Sequence, residues 1–297
     1  MAQMAVTSLP DAESRPRQVA IGTFDGVHRG HQAVIEGADT VLTFDPHPLS
    51  VIHPSALPKL IMPFAVKRDV IAGLGVRELV VIPFDAEFAK LSAEDFIERV
   101  LVERLAAERV SVGENFRFGA KAKGDPAMLA ARSEFETRVV PLVEVDGETV
   151  SSTRIRALIA AGDMKGARHC LGAPFMVEGT VVEGDQRGRE LGFPTANIVP
   201  DDRLAYPGHG VFAAFADGVP AAVNVGVRPT FDSGRGVLIE TYLIDREEDL
   251  YGRTLRVAFV ERLRGEKRFA GVEELIAQMR IDVENAKRVC ASFTGAS

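Results

Sequence analysis

Two histidines, His28 and His31, stand three residues apart in Gly22-Thr23-Phe24-Asp25-Gly26-Val27-His28-Arg29-Gly30-His31. On a helix that spacing puts both imidazoles on one face. Two N–H donors so placed can hold the oxygens of a phosphate that gains charge during displacement, with no covalent intermediate on the protein. The run starts as a β-branched strand and turns helical near His28, and a helix N-terminus beyond a strand end is an anion site. Gly26 and Gly30 are expected to let a nucleotide approach the backbone. A third imidazole, His47, lies between prolines in Asp45-Pro46-His47-Pro48, and Asn115 follows the apolar run at 110–112, so both are expected on the same rim. His53 has no comparable context and reads as surface. The run Val150-Ser151-Ser152-Thr153-Arg154-Ile155-Arg156 offers Ser152 and Thr153 at a helix start, then Arg154 and Arg156, a composition suited to triphosphate or pyrophosphate.

A second group of residues lies in the other half of the chain. No G-x-x-x-x-G-K-[ST] sequence occurs, so phosphoryl transfer there needs a different cradle. The loop at 184–193 is punctuated by glycines, among them Gly188 and Gly192, which bring backbone amides near phosphates. In Pro194-Thr195-Ala196-Asn197 an extended backbone points Thr195 and Asn197 to one face, a hydroxyl and an amide oxygen for one hard cation. Mg²⁺ fits, with ATP phosphates and water completing its shell. In 237–244, alternation groups Glu240 with Leu238, Tyr242 and Ile244. Apolar company disfavours a carboxylate's charged form, which makes Glu240 a candidate base for a substrate hydroxyl.

These residues require scaffolds. Short β-branched runs at 18–23, 39–44, 78–82, 109–112 and 138–143 alternate with helical patterns, the rhythm of a parallel sheet with crossover helices. The clearest helix is expected at 92–107, capped by Ser92 with Asp95 in the reciprocal position and Phe96, Val100 and Leu101 on its apolar face. Asp125, Ser152 and Asp163 are further expected caps. After residue 173 the pattern becomes short strands at 175–182, 211–215, 221–225, 237–244 and 254–260, an antiparallel barrel closed by an amphipathic helix over 272–290.

Composition narrows the classes. The 297 residues, 46% hydrophobic and 26% charged, suit two globular domains, read as 1–172 and 173–297. A net charge of −7 disfavours nucleic-acid binding through a general positive field. Cys170 and Cys290 lack metal-ligand spacing, and no apolar stretch approaches the roughly 20 residues of a membrane span. The N-terminus lacks the basic start and apolar centre of a signal peptide, so a cytoplasmic location is expected.

The motifs GTFDGVHRGH, TFDPHP, GENFRFG and VSSTRIR, in this order, resemble the adenylyltransferase module of the prokaryotic bifunctional riboflavin kinase/FAD synthetases, over nearly all of residues 18–171. GRELGFPTAN, NVGVRPTF and LIETYLIDREEDLYGR resemble the riboflavin kinase module of the same family, over about residues 174–292. The resemblance implies a Rossmann-like nucleotidyltransferase domain followed by a small barrel kinase. It implies two reactions: riboflavin and ATP give FMN and ADP, and FMN and ATP give FAD and pyrophosphate. It implies that His28 and His31 bind and stabilise the reacting phosphates, that His47 and Asn115 line the substrate site, and that Gly22, Phe24, Asp25 and Gly26 belong to its nucleotide-binding turn. Ser152, Thr153, Arg154 and Arg156 fall in its phosphate-binding motif. Thr195 and Asn197 become ligands of Mg-ATP, Glu240 the base, and Arg228 part of a loop near flavin and phosphates. One departure stands out. Only residues 32–40 separate His31 from the next strand, fewer than family members have. Residues 25–39 barely meet the crossover of about a dozen residues that parallel strands need, so a helix of about two turns is expected, with the sheet intact and a thinner wall beside the nucleotide. A riboflavin kinase with an altered first domain is the alternative reading. The second half is also short at residues 216–219, where Asp217-Gly218 makes a tight turn.

Overall fold

The computed structural model describes residues 3–183, 191–228, 236–246 and 248–294. The chain divides into two compact units, Met1–Pro58 with Pro63–Ser152 and Lys59–Met62 with Thr153–Ser297.

In the first unit the elements are β1 (Ala5–Ser8), β2 (Arg17–Ile21), α1 (Arg29–Ile35), β3 (Thr40–Asp45), α2 (Pro48–Ile52), α3 (Phe64–Gly73), β4 (Glu78–Pro83), α4 (Ala93–Asp95), β5 (Ala107–Gly113), α5 (Pro126–Ala130) and β6 (Glu136–Val140). The strands form one parallel sheet in the order β1-β4-β3-β2-β5-β6, and β7 (Glu144–Val145) and β8 (Glu148–Thr149) pair separately as a small antiparallel hairpin. All five expected strands are present with shifted ends, and β1 adds an edge strand that the sequence reading did not include. The helix expected over 92–107 starts as foreseen, with Ser92 Oγ accepting from the Asp95 amide at 2.9 Å. It then continues over Phe96–Arg104 with π-type bonding, Leu105 N–H donating to the Val100 carbonyl at 3.0 Å. Phe96, Val100 and Leu101 are buried as their spacing requires. Asp125 and Asp163 cap their helices, but Ser152 does not: it is the first helical residue, and its hydroxyl donates to the Asp25 carbonyl. The short crossover leaves the sheet intact, since Val19, Ala20 and Ile21 of β2 face Thr40, Val41 and Leu42 of β3.

The second unit is built on a closed antiparallel barrel. Its strands are β9 (Phe175–Val182), β10 (Ala196–Ile198), β11 (Gly210–Ala216), β12 (Val219–Arg228), β13 (Gly236–Leu243) and β14 (Thr254–Arg264), in the order β10-β13-β12-β11-β14-β9. Closure removes the edges that an open sheet would expose. Asp217 and Gly218 link β11 to β12 with φ of 44° and 83°, the two left-handed residues that a tight hairpin turn demands. The C-terminal helix, Val272–Thr294, lays Val283, Ala286 and Cys290 on the barrel wall. On the same stripe lies Asp282, made tolerable by Arg264, whose Nη2 donates to its carboxylate at 2.7 Å.

One buried charge pair braces the parallel sheet. Arg17 is 1% exposed and donates through Nε to Glu78 at 2.9 Å, while its Nη1 serves the carbonyls of Glu13 and Leu105. Burial alone would raise the Glu78 carboxyl, yet the Arg17 hydrogen bond and charge outweigh it and hold the group below its usual range. A carboxyl lowered by folding stabilises above its unfolded pKa and loses that effect as pH falls through the folded one. Arg17→Met should therefore cost about 3 kcal/mol in urea unfolding, because Glu78 stays charged with only the more exposed Arg15, whose Nη2 donates to it at 2.5 Å, as a charged partner. Arg17→Met combined with Glu78→Met should recover most of the loss, and the parent's advantage over the double variant should fade below about pH 4.3.

Candidate active sites

Strand order reverses beside β2: the chain runs from β2 to β3 on one side, and later from β4 to β5 on the other. Beyond the carboxyl ends of strands at such a point a crevice opens. Here it is a cleft of about 1090 Å³, with Gly22, Thr23 and Phe24 from the end of β2, His28, Gly30 and His31 from α1, and Asn115 from beyond β5 in its wall. His47 and Ser152 line it too, as does His53, which the sequence reading left as plain surface.

The turn from β2 into α1 is strained. Phe24 and Val27 have φ of 50° and 40°, and for the β-branched Val27 this is a costly conformation. Four carbonyls along the turn are held by partners. Thr23 accepts from Lys67 Nζ at 3.2 Å and Thr43 Oγ1 at 3.3 Å; Phe24 accepts from the Val27 amide at 3.2 Å. Asp25 accepts from Ser152 Oγ at 3.0 Å, and Val27 from Gln32 Nε2 at 2.9 Å. Asp25 and Gly26 are buried behind the cleft wall, which corrects the expectation that Gly26 opens the backbone to a ligand. With φ of 88°, Gly26 instead makes the turn possible. Gly30 makes room for a neighbour, since a Cβ there would lie 3.2 Å from the His28 ring.

His28 caps α1: its Nδ1 accepts from the His31 amide at 3.3 Å, and the two imidazoles stack 3.6 Å apart at 17°. An accepting Nδ1 places the proton of a neutral ring on Nε2. Burial lowers His28 to about 4, its own backbone hydrogen bond opposing, so the ring is neutral at pH 7. His31 is also lowered, first by burial and then by the charges of His28 and Lys67. Its Nδ1 is buried without a hydrogen-bond partner. His47 repeats the device one strand away, its Nδ1 accepting from the Leu49 amide at 3.1 Å. Two features of this cleft escaped the sequence reading. One is Lys67 of α3, which carries no motif. The other is a run of aromatic contacts from Phe44 through Phe84, Phe88, Phe96 and Phe118 to Phe116, with successive centroids 5.4 to 6.4 Å apart. Such a wall suits a flat aromatic ligand.

Thr153, Arg154 and Arg156 belong to the second unit, where Arg156 Nε donates to the Lys59 carbonyl at 2.6 Å. In the barrel of that unit, Asn197 of β10 lies directly across from Glu240 of β13, and Glu240 across from Asn224 of β12. Register partners share a face, so one carboxylate stands between two amides. Asn224 Nδ2 donates to Glu240 Oε2 at 2.8 Å. Asn224 was not anticipated, since only the strand register brings it beside Glu240. The alternation grouping Glu240 with Leu238 and Tyr242 holds, but Ile239, Thr241 and Leu243 fill the interior instead. Glu240 is half-buried on the outer face, with Leu238 and Tyr242 beside it along the strand as expected and Asn197 and Asn224 beside it across strands. Asn197 is 6% exposed, and Thr195 precedes its strand. A hydroxyl and an amide oxygen are donor types that Mg²⁺ takes from protein, and the amide of Asn197 stands in register with the Glu240 carboxylate. Gly192 has φ of 83°; Gly188 lies outside the described residues, and Arg228 ends β12.

Residues 11–154 match the family model for FAD synthetase, and residues 171–290 that for riboflavin kinase. The chain is 35% identical over 300 residues to the bifunctional riboflavin kinase/FMN adenylyltransferase of Escherichia coli K12, covering 95% of each. It is 35% identical over 294 residues to that of Listeria monocytogenes, covering 93% of each. A crystal structure from Streptococcus pneumoniae, described as a macrolide-efflux protein, superposes with a TM-score of 0.86 at 31% identity, over 96% of this chain and 99% of that one. That description concerns the other protein; among the described residues here no helix is long and apolar enough to cross a membrane. A Rossmann-like sheet with paired imidazoles at its switch point, followed in sequence by a barrel bearing a carboxylate between amides, defines a two-module transferase acting on phosphates. The chain belongs to the family of bifunctional riboflavin kinase/FMN adenylyltransferases and carries both modules, so the kinase-only alternative is not favoured.

An imidazole lowered by folding binds fewer protons than in the unfolded chain, where it titrates near 6.5. Stability should therefore be full above about pH 6.5 and be lost as pH falls toward the folded value of about 4 for His28. Between pH 7 and 5 His28 should account for about 1–2 kcal/mol of the drop in urea unfolding. His28→Asn should flatten the curve by that amount, and ring ¹⁵N shifts at pH 7 should place the His28 proton on Nε2.

Proposed function

We propose that the cleft of the first unit joins FMN to the adenylyl group of ATP, and that the Glu240 face of the barrel phosphorylates riboflavin. In the first reaction an FMN phosphate oxygen attacks the α-phosphorus, the bond to the β-phosphate oxygen breaks, and pyrophosphate leaves. His28 donates from Nε2–H to phosphate oxygens as their charge grows, and the buried Nδ1 of His31 gains a partner when its protonated tautomer donates in the same way. His47, Asn115 and Ser152 bind the substrates' polar groups, and the phenylalanine wall takes the isoalloxazine; Thr153, Arg154 and Arg156 form the phosphate-binding motif that the family resemblance implies. In the second reaction Glu240 accepts the proton of the ribityl 5′-hydroxyl as that oxygen attacks the γ-phosphorus, and ADP leaves. Asn224 orients Glu240. Thr195 and Asn197 hold Mg²⁺, which when bound neutralises phosphate charge; Gly188, Gly192 and Arg228 serve ATP and flavin.

We assign adenylyl transfer to residues 1–172 and the kinase to residues 173–297, residues 155–170 falling between the two matched segments. The partners are riboflavin, FMN, FAD, ATP, ADP and pyrophosphate, without nucleic acid or membrane, and the setting is the cytoplasm. The observation that supports this reading is that the paired imidazoles of the cleft and the Asn197-Glu240-Asn224 row lie each within its own matched segment.

Incubation with riboflavin, ATP and MgCl₂, followed by chromatography of the flavins, should yield FAD. FMN alone rejects the first assignment, and unchanged riboflavin rejects the scheme. Glu240→Ala should stop FMN formation yet leave FMN-to-FAD conversion, and Asn224→Ala should slow only riboflavin phosphorylation. His31→Ala should slow only FMN adenylylation, by about 10²-fold.

A further inference from the structure

Lys67 is 9% exposed, and burying an ammonium is costly unless the charge is used. An apolar side chain of similar length would fill the same space without that cost. Among the described residues Lys67 makes no ion pair: its Nζ donates to the Thr23 carbonyl at 3.2 Å and to Thr43 Oγ1 at 3.3 Å, both neutral oxygens. Charged and titratable groups face it from three directions, Asp25 in the turn, Asp45 at the end of β3 and His31 on α1, while the Phe64 ring of its own helix lies 5.3 Å from Nζ. Burial lowers the amine to about 8, with Asp45 and Asp25 opposing. Thr23 lines the cleft and Lys67 does not, so the amine stands one residue behind the wall.

We propose that Lys67 is a positioning residue for adenylyl transfer: its ammonium, bonded to the Thr23 carbonyl and the Thr43 hydroxyl, holds the strained turn that carries His28 and His31 and sets a positive charge behind the wall on which the triphosphate lies. The inference deepens the adenylyl-transfer reading and rests on it. Of the four held carbonyls in the turn, only that of Thr23 is held by a charged donor, and charge-assisted bonds are the stronger kind. Thr43 belongs to the strand that leads into His47, so a single amine fixes the β2 exit against the β3 exit. The cation also favours neutral His31, which keeps that ring from taking up a proton before the anionic substrate arrives. Loss of the ammonium proton weakens both the tie and the field.

The test uses the whole enzyme, with riboflavin phosphorylation as the internal control for folding. Lys67→Met should lower kcat/KM for FMN adenylylation by about 10²-fold, as small misplacements of reacting groups do, and leave phosphorylation unchanged. In the parent, kcat/KM for ATP in adenylylation reports groups of the free enzyme and should fall with a midpoint near pH 8. Lys67→Arg, charged throughout, should restore part of the rate and abolish that alkaline fall. Parent-like adenylylation in Lys67→Met overturns the proposal, and so does an alkaline fall that persists near pH 8 in Lys67→Arg. Should Lys67→Met not fold, the Arg profile decides alone. A parent that makes no FAD defeats the adenylyl-transfer reading instead, and hydrogen exchange then judges Lys67 without substrate. The Val27 amide, bonded to the Phe24 carbonyl, should exchange at least about tenfold faster in Lys67→Met, and unchanged exchange overturns the holding role.

Discussion

The bond from the His31 amide to Nδ1 of His28 is the constraint that fixes the imidazole pair of the first unit. Helix N-caps are commonly Ser, Thr, Asp or Asn, whose oxygens accept whatever their charge state. An imidazole caps only while Nδ1 keeps its lone pair, so the structural role demands a neutral ring protonated at Nε2. That tautomer is the one with a donor to offer a phosphate. Capping and the proposed phosphate contact therefore select the same state, and burial holds the ring in it by lowering its pKa to about 4. The stacked His31 lies in the first turn of the same helix, where backbone amides and the helix dipole favour anions. What remains is to keep the cap residue in place. That falls to a turn whose left-handed residues each cost on the order of 1–3 kcal/mol and persist because their carbonyls are individually held.

The barrel solves a different problem. A closed sheet of this size fills its interior with side chains, and Ile239, Thr241 and Leu243 do so on β13. Polar chemistry is thereby displaced to the outer face. There the antiparallel register aligns Asn197, Glu240 and Asn224 across three neighbouring strands, a row that no segment of sequence could supply alone. The amide of Asn224 fixes one carboxylate oxygen and leaves the other available. Rigidity of the sheet does for Glu240 what the held turn does for His28.

Much of this architecture was legible from sequence because it rests on local rules. Alternation marked the strands, side-chain caps marked Asp125 and Asp163, and the spacing of His28 and His31 needed only a helix to become a pair. What escaped was set by tertiary geometry. Lys67 is separated by 44 residues from Thr23, and its polarity has meaning only where α3 crosses the exits of β2 and β3. Asn224 lies 16 residues from Glu240 and becomes its partner through register alone. Glu240 was placed on the correct alternating set, but its amide neighbours Asn197 and Asn224 were not foreseen beside it, since periodicity along one strand says nothing of what lies across from it. The small hairpin of Glu144–Val145 and Glu148–Thr149 was different: Asp146-Gly147, both with positive φ, is a local signal that was available.

The shortened crossover shows which part of α1 matters. The helix has only seven residues, Arg29–Ile35, yet β3 pairs with β2 in register on its far side. Each group that faces the cleft from the start of this helix, His28, Gly30 and His31, lies at the cap or in the first turn. Residues removed from the other end of a helix leave its N-terminal amides and cap unchanged, because these are fixed by the preceding strand and turn. The dipole effect is likewise confined to about one turn. A crossover can therefore shrink to the minimum that parallel pairing allows without disturbing the imidazole pair, which is why a short first helix and an intact adenylyl-transfer cleft coexist in this chain.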